Sequence, residues 1–222
     1  VATGNNATAV GTNTYASGED ASAYGYRAAA MGKDSVSIGS GTSAQQEGSV
    51  AIGGHAQGDH AVQVGTNSTA QSAYSVAVGG HAKGDDSIAI GSGSSTSGQY
   101  AITVGGSATS DHAVSIGGVA GNSQATAVGS GSSATGQQST AIGAYSAVSG
   151  SQAVAVGGTA SGDNAVSVGG VASNNATAVG RGSTAKGTNS TAVGGQAGDL
   201  YATAVGQGAN ATYVYTTAVG YN

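Results

Sequence analysis

The side chains able to do chemistry in this sequence are few, and they share one register. They are Glu19 and Asp20, Asp34, Glu47, Asp59 and His60, Tyr74, Asp85 and Asp86, Tyr100, Asp111 and His112, Asp163 and Tyr201. Lys33 and Tyr215 fall in the same series. Nine of the ten acidic residues belong to it, and Asp199 lies just beside it. Aligned carboxylates suit a basic partner, and Tyr supplies contact area, so the series reads as a candidate ligand-facing edge. The plainer reading is that these are the only roomy, solvated positions of a tightly wound chain.

Other chemistry is harder to build. His55 and His81 sit in matching "GGHA" segments two repeats apart. Two repeats are about 10 Å of stacked strand, too far to share one ion within a chain. Asp59 or Asp85 could join either histidine around a divalent ion, but solvated polar loops explain these residues more simply. No metal and no cofactor is expected. A calcium-binding nonapeptide repeat needs GGxGxDxUx, and "GGHAQGD" has the wrong register and period. No GxxxxGK[ST] loop is present. Every Ser, His and Asp is accounted for by the repeat described below, so no catalytic triad or carboxylate pair stands out. A straight solenoid also offers ridges and shallow grooves rather than a concave pocket. The sequence does not predict an enzyme.

Composition narrows the partners. The 222 residues include 42 Gly and no Pro, Cys, Trp or Phe. Charged residues make up 7 %, and the net charge is −5 with only five Lys and Arg in total. These are scattered, whereas a nucleic-acid groove or an anionic membrane surface needs clustered positive charge. No run of about 20 apolar residues could span a membrane as a helix. The opening "VATGNNATAV" lacks the basic and apolar regions of a signal peptide. Without Cys there is neither a disulfide framework nor a Cys-ligated metal.

The elements that position the polar series come from a repeat. A pentad such as "SVAIG" closes on Gly11, Gly25, Gly39, Gly53, Gly65, Gly79, Gly91, Gly105, Gly117, Gly129, Gly143, Gly157, Gly169, Gly180, Gly194, Gly206 and Gly220. The interval has a longer form, as from Gly25 to Gly39, and a shorter form, as from Gly53 to Gly65. The step from Gly169 to Gly180 is shorter still. A period this short predicts an all-β solenoid in which each repeat is one turn, forming a single domain over 1–222. Each turn holds two short strands, the pentad and a looser alternating half such as "TASGDN". Glycines such as Gly58, Gly84, Gly136 and Gly162 mark where the chain turns. The absence of Pro leaves every turn able to donate backbone hydrogen bonds. Stacked this way, the turns make a rod on the order of 80 Å long.

Alternation sends the pentad to two faces. Ala or Ser fills one face almost throughout, with Gln63 and Thr103 as misfits. Val or Ile fills the other, except at Tyr24 and where Thr or Ser takes the first position. Such a short turn encloses too narrow a lumen for rows of Val and Ile, so these should point outward. The strip comprises Val36, Ile38, Val50, Ile52, Val62, Val64, Val76, Val78, Ile88, Ile90, Ile102, Val104, Val114, Ile116, Val154, Val156, Val166 and Val168. It exceeds what soluble monomers expose, and an Ala-filled lumen is a thin core. The expectation is a homotrimer of parallel coils with these strips around a shared axis. Tyr24 would plug the tip, and Tyr213, Tyr215 and Tyr221 would cap the other end.

These residues carry a resemblance. The pentads "SVAIG", "SIAIG", "STAIG" and "STAVG" resemble the repeats of YadA-like heads of trimeric autotransporter adhesins, over Ala7 to Gly220. The resemblance implies a left-handed parallel β-roll in which three chains form a trimeric head. It implies display on the outer membrane of a Gram-negative bacterium, as part of a longer exported protein. The implied role is attachment to a host extracellular-matrix protein, a cell-surface receptor or another bacterial surface. No stalk heptads, neck or membrane anchor is seen, so any membrane link would run through an anchor outside this chain. The shorter turns depart from a uniform period, with the deletion just after the pentad glycine, which predicts a ridged edge. A structural spacer in an adhesin fibre is the alternative function. A single-chain ice-binding solenoid is a further one, supported by Thr8, Thr126, Thr140, Thr177, Thr191, Thr203 and Thr217, but it lacks a second Thr column.

Overall fold

A computed structural model describes residues 1–220. The chain divides into two compact units, 1–112 and 113–222. In the first, three-residue strands run from Thr8–Val10 to Ile102–Val104, alternating with two-residue strands from Tyr15–Ala16 to Ser107–Ala108. In the second, the same alternation runs from Val114–Ile116 to Thr217–Val219. Within each unit every strand pairs in parallel with its equivalent one turn on. Val36, Ser37 and Ile38 lie opposite Val50, Ala51 and Ile52. Thr140, Ala141 and Ile142 lie opposite Val154, Ala155 and Val156. Each unit is therefore a parallel β-solenoid with two narrow sheets, and like residues stack on like.

The lumen is lined by small side chains. Ala23, Ala51, Ala77, Ala89, Ala127 and Ala155 at the pentad centres are fully buried, as are Ala30, Ala56, Ala82 and Ala160 from the facing strands. The flanking pentad residues point out: Ile38, Ile90 and Val156 are each 40 % exposed. Both misfits at the pentad centre are also buried. Thr103 receives a hydrogen bond from Thr96 at 2.8 Å across the lumen. The Gln63 amide donates to the Gly65 carbonyl and to the Ser68 hydroxyl. It lies over Gly54, where a Cβ would come within 2.3 Å of it. The larger residue thus fills the space that glycine leaves.

Several backbone carbonyls at the corners accept a hydrogen bond from a buried hydroxyl. Ser75 donates to Ser72 O at 2.7 Å and Ser87 to Gly84 O at 2.6 Å. Ser94, Ser132 and Ser183 do the same for the carbonyls of Gly91, Gly129 and Gly180. Ser72, Gly91, Gly129 and Gly180 O also accept from the backbone N–H of the same serine, whereas for Gly84 O the Ser87 hydroxyl is the donor, so serine, only slightly larger than alanine, spares that acceptor the cost of being buried unmet.

The glycines divide into two kinds. Gly58, Gly84, Gly136 and Gly162 are needed for close approach, not for turning. A Cβ on Gly58 would lie 2.0 Å from the Ser72 carbonyl oxygen of the next turn. The residue that turns the chain comes two positions later, at left-handed φ: Asp20, Asp34, His60, Tyr74, Asp86, Tyr100 and their non-glycine equivalents, with φ between 52° and 60°.

Candidate recognition edge

The polar series of the sequence occupies this turning corner. Its second residue is the left-handed one in each turn, and its first residue lies just before it. The left-handed region favours Gly, Asn and Asp because a Cβ there crowds the carbonyl. That accounts for Asn6, Asp20, Asp34, Asp86, Asn164, Asn175 and Asn189 at the corner. It does not account for Tyr74, Tyr100, Tyr201 and Tyr215, nor for Gln124, Gln138 and Gln152.

Stacking along the column supplies the reason. The His60 and Tyr74 rings lie 5.2 Å apart at 12°. Tyr100 and His112 lie 5.2 Å apart at 22°, and Tyr201 and Tyr215 5.1 Å apart at 6°. Gln138 donates to Gln124 at 2.9 Å, and Gln152 to Gln138 at 3.1 Å. Asn164 donates to Asn175 at 3.1 Å. Backbone bonds set this spacing, as Tyr74 N to Asp59 O at 2.8 Å and Tyr100 N to Asp85 O at 3.0 Å show. The glutamine and asparagine ladders were not anticipated from sequence. Their signal was available: the residue five before each pentad glycine.

The carboxylates have unequal roles. Asp111 accepts from Gln99 N at 3.0 Å, and Asp163 from Ser151 N at 2.8 Å, so both tie down the corner of the turn before. Glu19 faces Lys33 at 3.9 Å in an exposed pair, an arrangement that adds little stability. Asp59, Asp85 and Asp86 stand exposed on the edge. Among the described residues no group of three or more His, Asp or Glu is gathered to hold a metal ion.

The opposite corner is ridged. After a pentad glycine with φ of 105° to 133°, the chain makes an extra turn with its own left-handed residue, such as Asn13, Arg27, Asn67 or Tyr145. In the shorter turns the pentad glycine itself takes φ of 64° to 82° and the extra turn is omitted. The long corners at 39–42 and 65–68 leave a notch of about 560 Å³ over Gly53 and Gly54, lined also by His55 and His81. Thr69 pairs with both histidine positions and lies between them, so they are not neighbours. A second notch of about 310 Å³ is lined by Arg181, Gln196, Gln207 and Asn210. On the long ridge, the Arg27 guanidinium lies 5.3 Å from the Tyr26 ring.

The pentad and its inward-outward alternation also match a known family. The YadA head domain repeat (2 copies) matches residues 2–28, 30–56, 56–82, 82–108, 120–146, 134–159, 173–197 and 200–222. The chain belongs to the YadA head family. Members are the non-enzymatic heads of trimeric autotransporter adhesins, exposed at the surface of Gram-negative bacteria. No curated protein matches the chain. The two longest stretches outside the YadA head matches, 109–119 and 160–172, each hold a pentad with a short corner on both sides. The departures therefore fall where the extra turn is missing twice in succession.

Proposed function

We propose that this chain is the adhesive head of a homotrimer whose subunits pack their Val/Ile strips together. The outward corner would attach the bacterium to a host matrix protein, a host-cell receptor or another bacterial surface. The observation that carries the trimer is the exposure of Ile38, Ile52, Ile90, Val104, Ile116, Val156 and Val168, each at 39–45 %. Burying what remains exposed gains roughly 1 kcal/mol per residue, repeated at every turn. The corner's candidate contacts are the exposed Asp59, Tyr74, Asp85, Asp86, Tyr100 and Tyr201.

A fibre spacer is the second reading. It is favoured by Asp111, Asp163 and the Gln124–Gln138–Gln152 ladder, which serve the coil's own hydrogen bonding. Native mass in solution tests the assembly: three chains, holding on dilution, are expected, and a stable monomer of 20.6 kDa would overturn it. A binding screen of the intact head against matrix proteins and cells separates adhesin from spacer. Saturable binding is expected, and silence across the screen would favour the spacer.

A further inference from the structure

Tyr74, Asp86 and Tyr100 occupy the same left-handed corner position in three successive turns. Tyr74 has one ring face on His60, and Tyr100 has one on His112. The free face of each therefore looks toward the turn between them, which carries Asp85 and Asp86. Two turns separate the phenols by about 10 Å, so a group midway lies about 5 Å from each ring. That is within the distance of about 6 Å at which a cation is held by an aromatic face.

The turn between the rings is anionic. Neither the Asp85 nor the Asp86 carboxylate has a hydrogen bond or ion pair among the described residues. Over 59–112 the chain has four Asp, at 59, 85, 86 and 111, against the single Lys83, which makes no ion pair among the described residues. Tyr74 and Tyr100 are 58 % and 55 % exposed, so the slot is open. The left-handed backbone also disfavours both tyrosines relative to Gly or Asn, a cost offset by their stacking on His60 and His112.

We propose that Tyr74, Asp86 and Tyr100 form a slot for an arginine side chain of a partner protein. A guanidinium lies within cation–π reach of both rings and offers a two-pronged donor to the Asp86 carboxylate. Asp85 at the slot's rim adds to the attraction. A neutral sugar would stack but gain nothing from the charge. The slot deepens the reading of the corner as the recognising edge, and rests on it.

The test titrates the full chain, in its native assembly, with the blocked peptide Gly-Arg-Gly, following ring signals of isotope-labelled Tyr by NMR. Saturable shifts confined to Tyr74 and Tyr100 are expected. Asp86→Asn and Tyr100→Asn should each weaken binding at least tenfold. Both replacements suit the left-handed backbone, and unchanged melting curves verify folding. The citrulline peptide, isosteric but uncharged, should not bind. Equal binding of citrulline, or unchanged affinity in Asp86→Asn, overturns the slot. Binding of phosphocholine but not arginine would overturn it in favour of a quaternary ammonium ligand. Native mass keeps the two proposals apart: a monomer that binds the peptide sinks the trimer alone, and a trimer that ignores it sinks the slot alone.

Discussion

The strictest demands on individual residues come from two corner positions close together in each turn. At Gly58 the next turn's carbonyl leaves no room for a methyl group. Gly58→Ala should cost at least about 3 kcal/mol, because the clash is with backbone that two sheets hold in place. Gly41 differs: it has φ +69° and open space around it. Gly41→Asn should therefore change stability by less than about 0.5 kcal/mol, since Asn tolerates the left-handed region. Urea denaturation of both variants checks the pair. Tyrosine at such corners is a sharper test. Tyr145 is left-handed and 81 % exposed, so Tyr145→Asn should raise stability by about 0.5–1 kcal/mol. Tyr74→Asn should be near neutral, because stacking on His60 contributes about 0.5–1.5 kcal/mol that offsets the strain. Equal responses at the two sites would mean that stacking contributes nothing.

Among the elements, the corner matters more than the strand. Strands of two and three residues have little stability alone, and their order comes from pairing with like strands above and below. What differs between turns is how corner carbonyls are met. The Ser87 hydroxyl, buried, donates to Gly84 O at 2.6 Å. Ser87→Ala should cost about 1–3 kcal/mol by leaving that acceptor unmet. Ser35 occupies the equivalent position, but its buried hydroxyl has no partner. Ser35→Ala should be neutral or stabilising by up to about 1 kcal/mol. Thermal melts of the two variants, run side by side, check the contrast. The pentad, its period and the place of the two-residue deletion were all legible in the sequence. That Ser at one position does opposite things in different turns was not, because it depends on how each corner carbonyl is aimed.

For the whole molecule, the question is what covers the Val/Ile strip. If subunits associate through it, folding and association are linked, and the thermal midpoint must rise with protein concentration. A tenfold dilution should lower the midpoint measurably, whereas a midpoint independent of concentration would mean the chain folds alone. Tyr24 replaces Val or Ile in the strip and is 41 % exposed. In a trimer three copies would meet at the axis, so Tyr24→Val should lower the midpoint by emptying that packing. A rise would mean that the ring crowds the axis rather than plugging it. Of the proposed end cap, Tyr215 stacks on Tyr201, while Tyr221 lies outside the described residues.

The sequence by itself determined the solenoid, its turn length and which residues face inward. So short a period leaves a narrow lumen with no room for rows of Val and Ile, so Ala51 and Ala77 had to point in, and Ile52 and Val78 out. It also placed Asp59, His60, Tyr74, Asp86 and Tyr100 in one column, because register alone fixes that. Only the tertiary structure decided what the column does. Which rings stack, which carboxylates cap a neighbouring N–H and which are left free depend on side-chain directions at left-handed corners. Asp85 and Asp111 hold the same position, just before the left-handed residue of their turns. Asp111 accepts a backbone hydrogen bond from Gln99, and Asp85 stands unpaired at the rim of the gap between two phenol rings. Their place in the repeat is identical, so no periodicity could have told them apart.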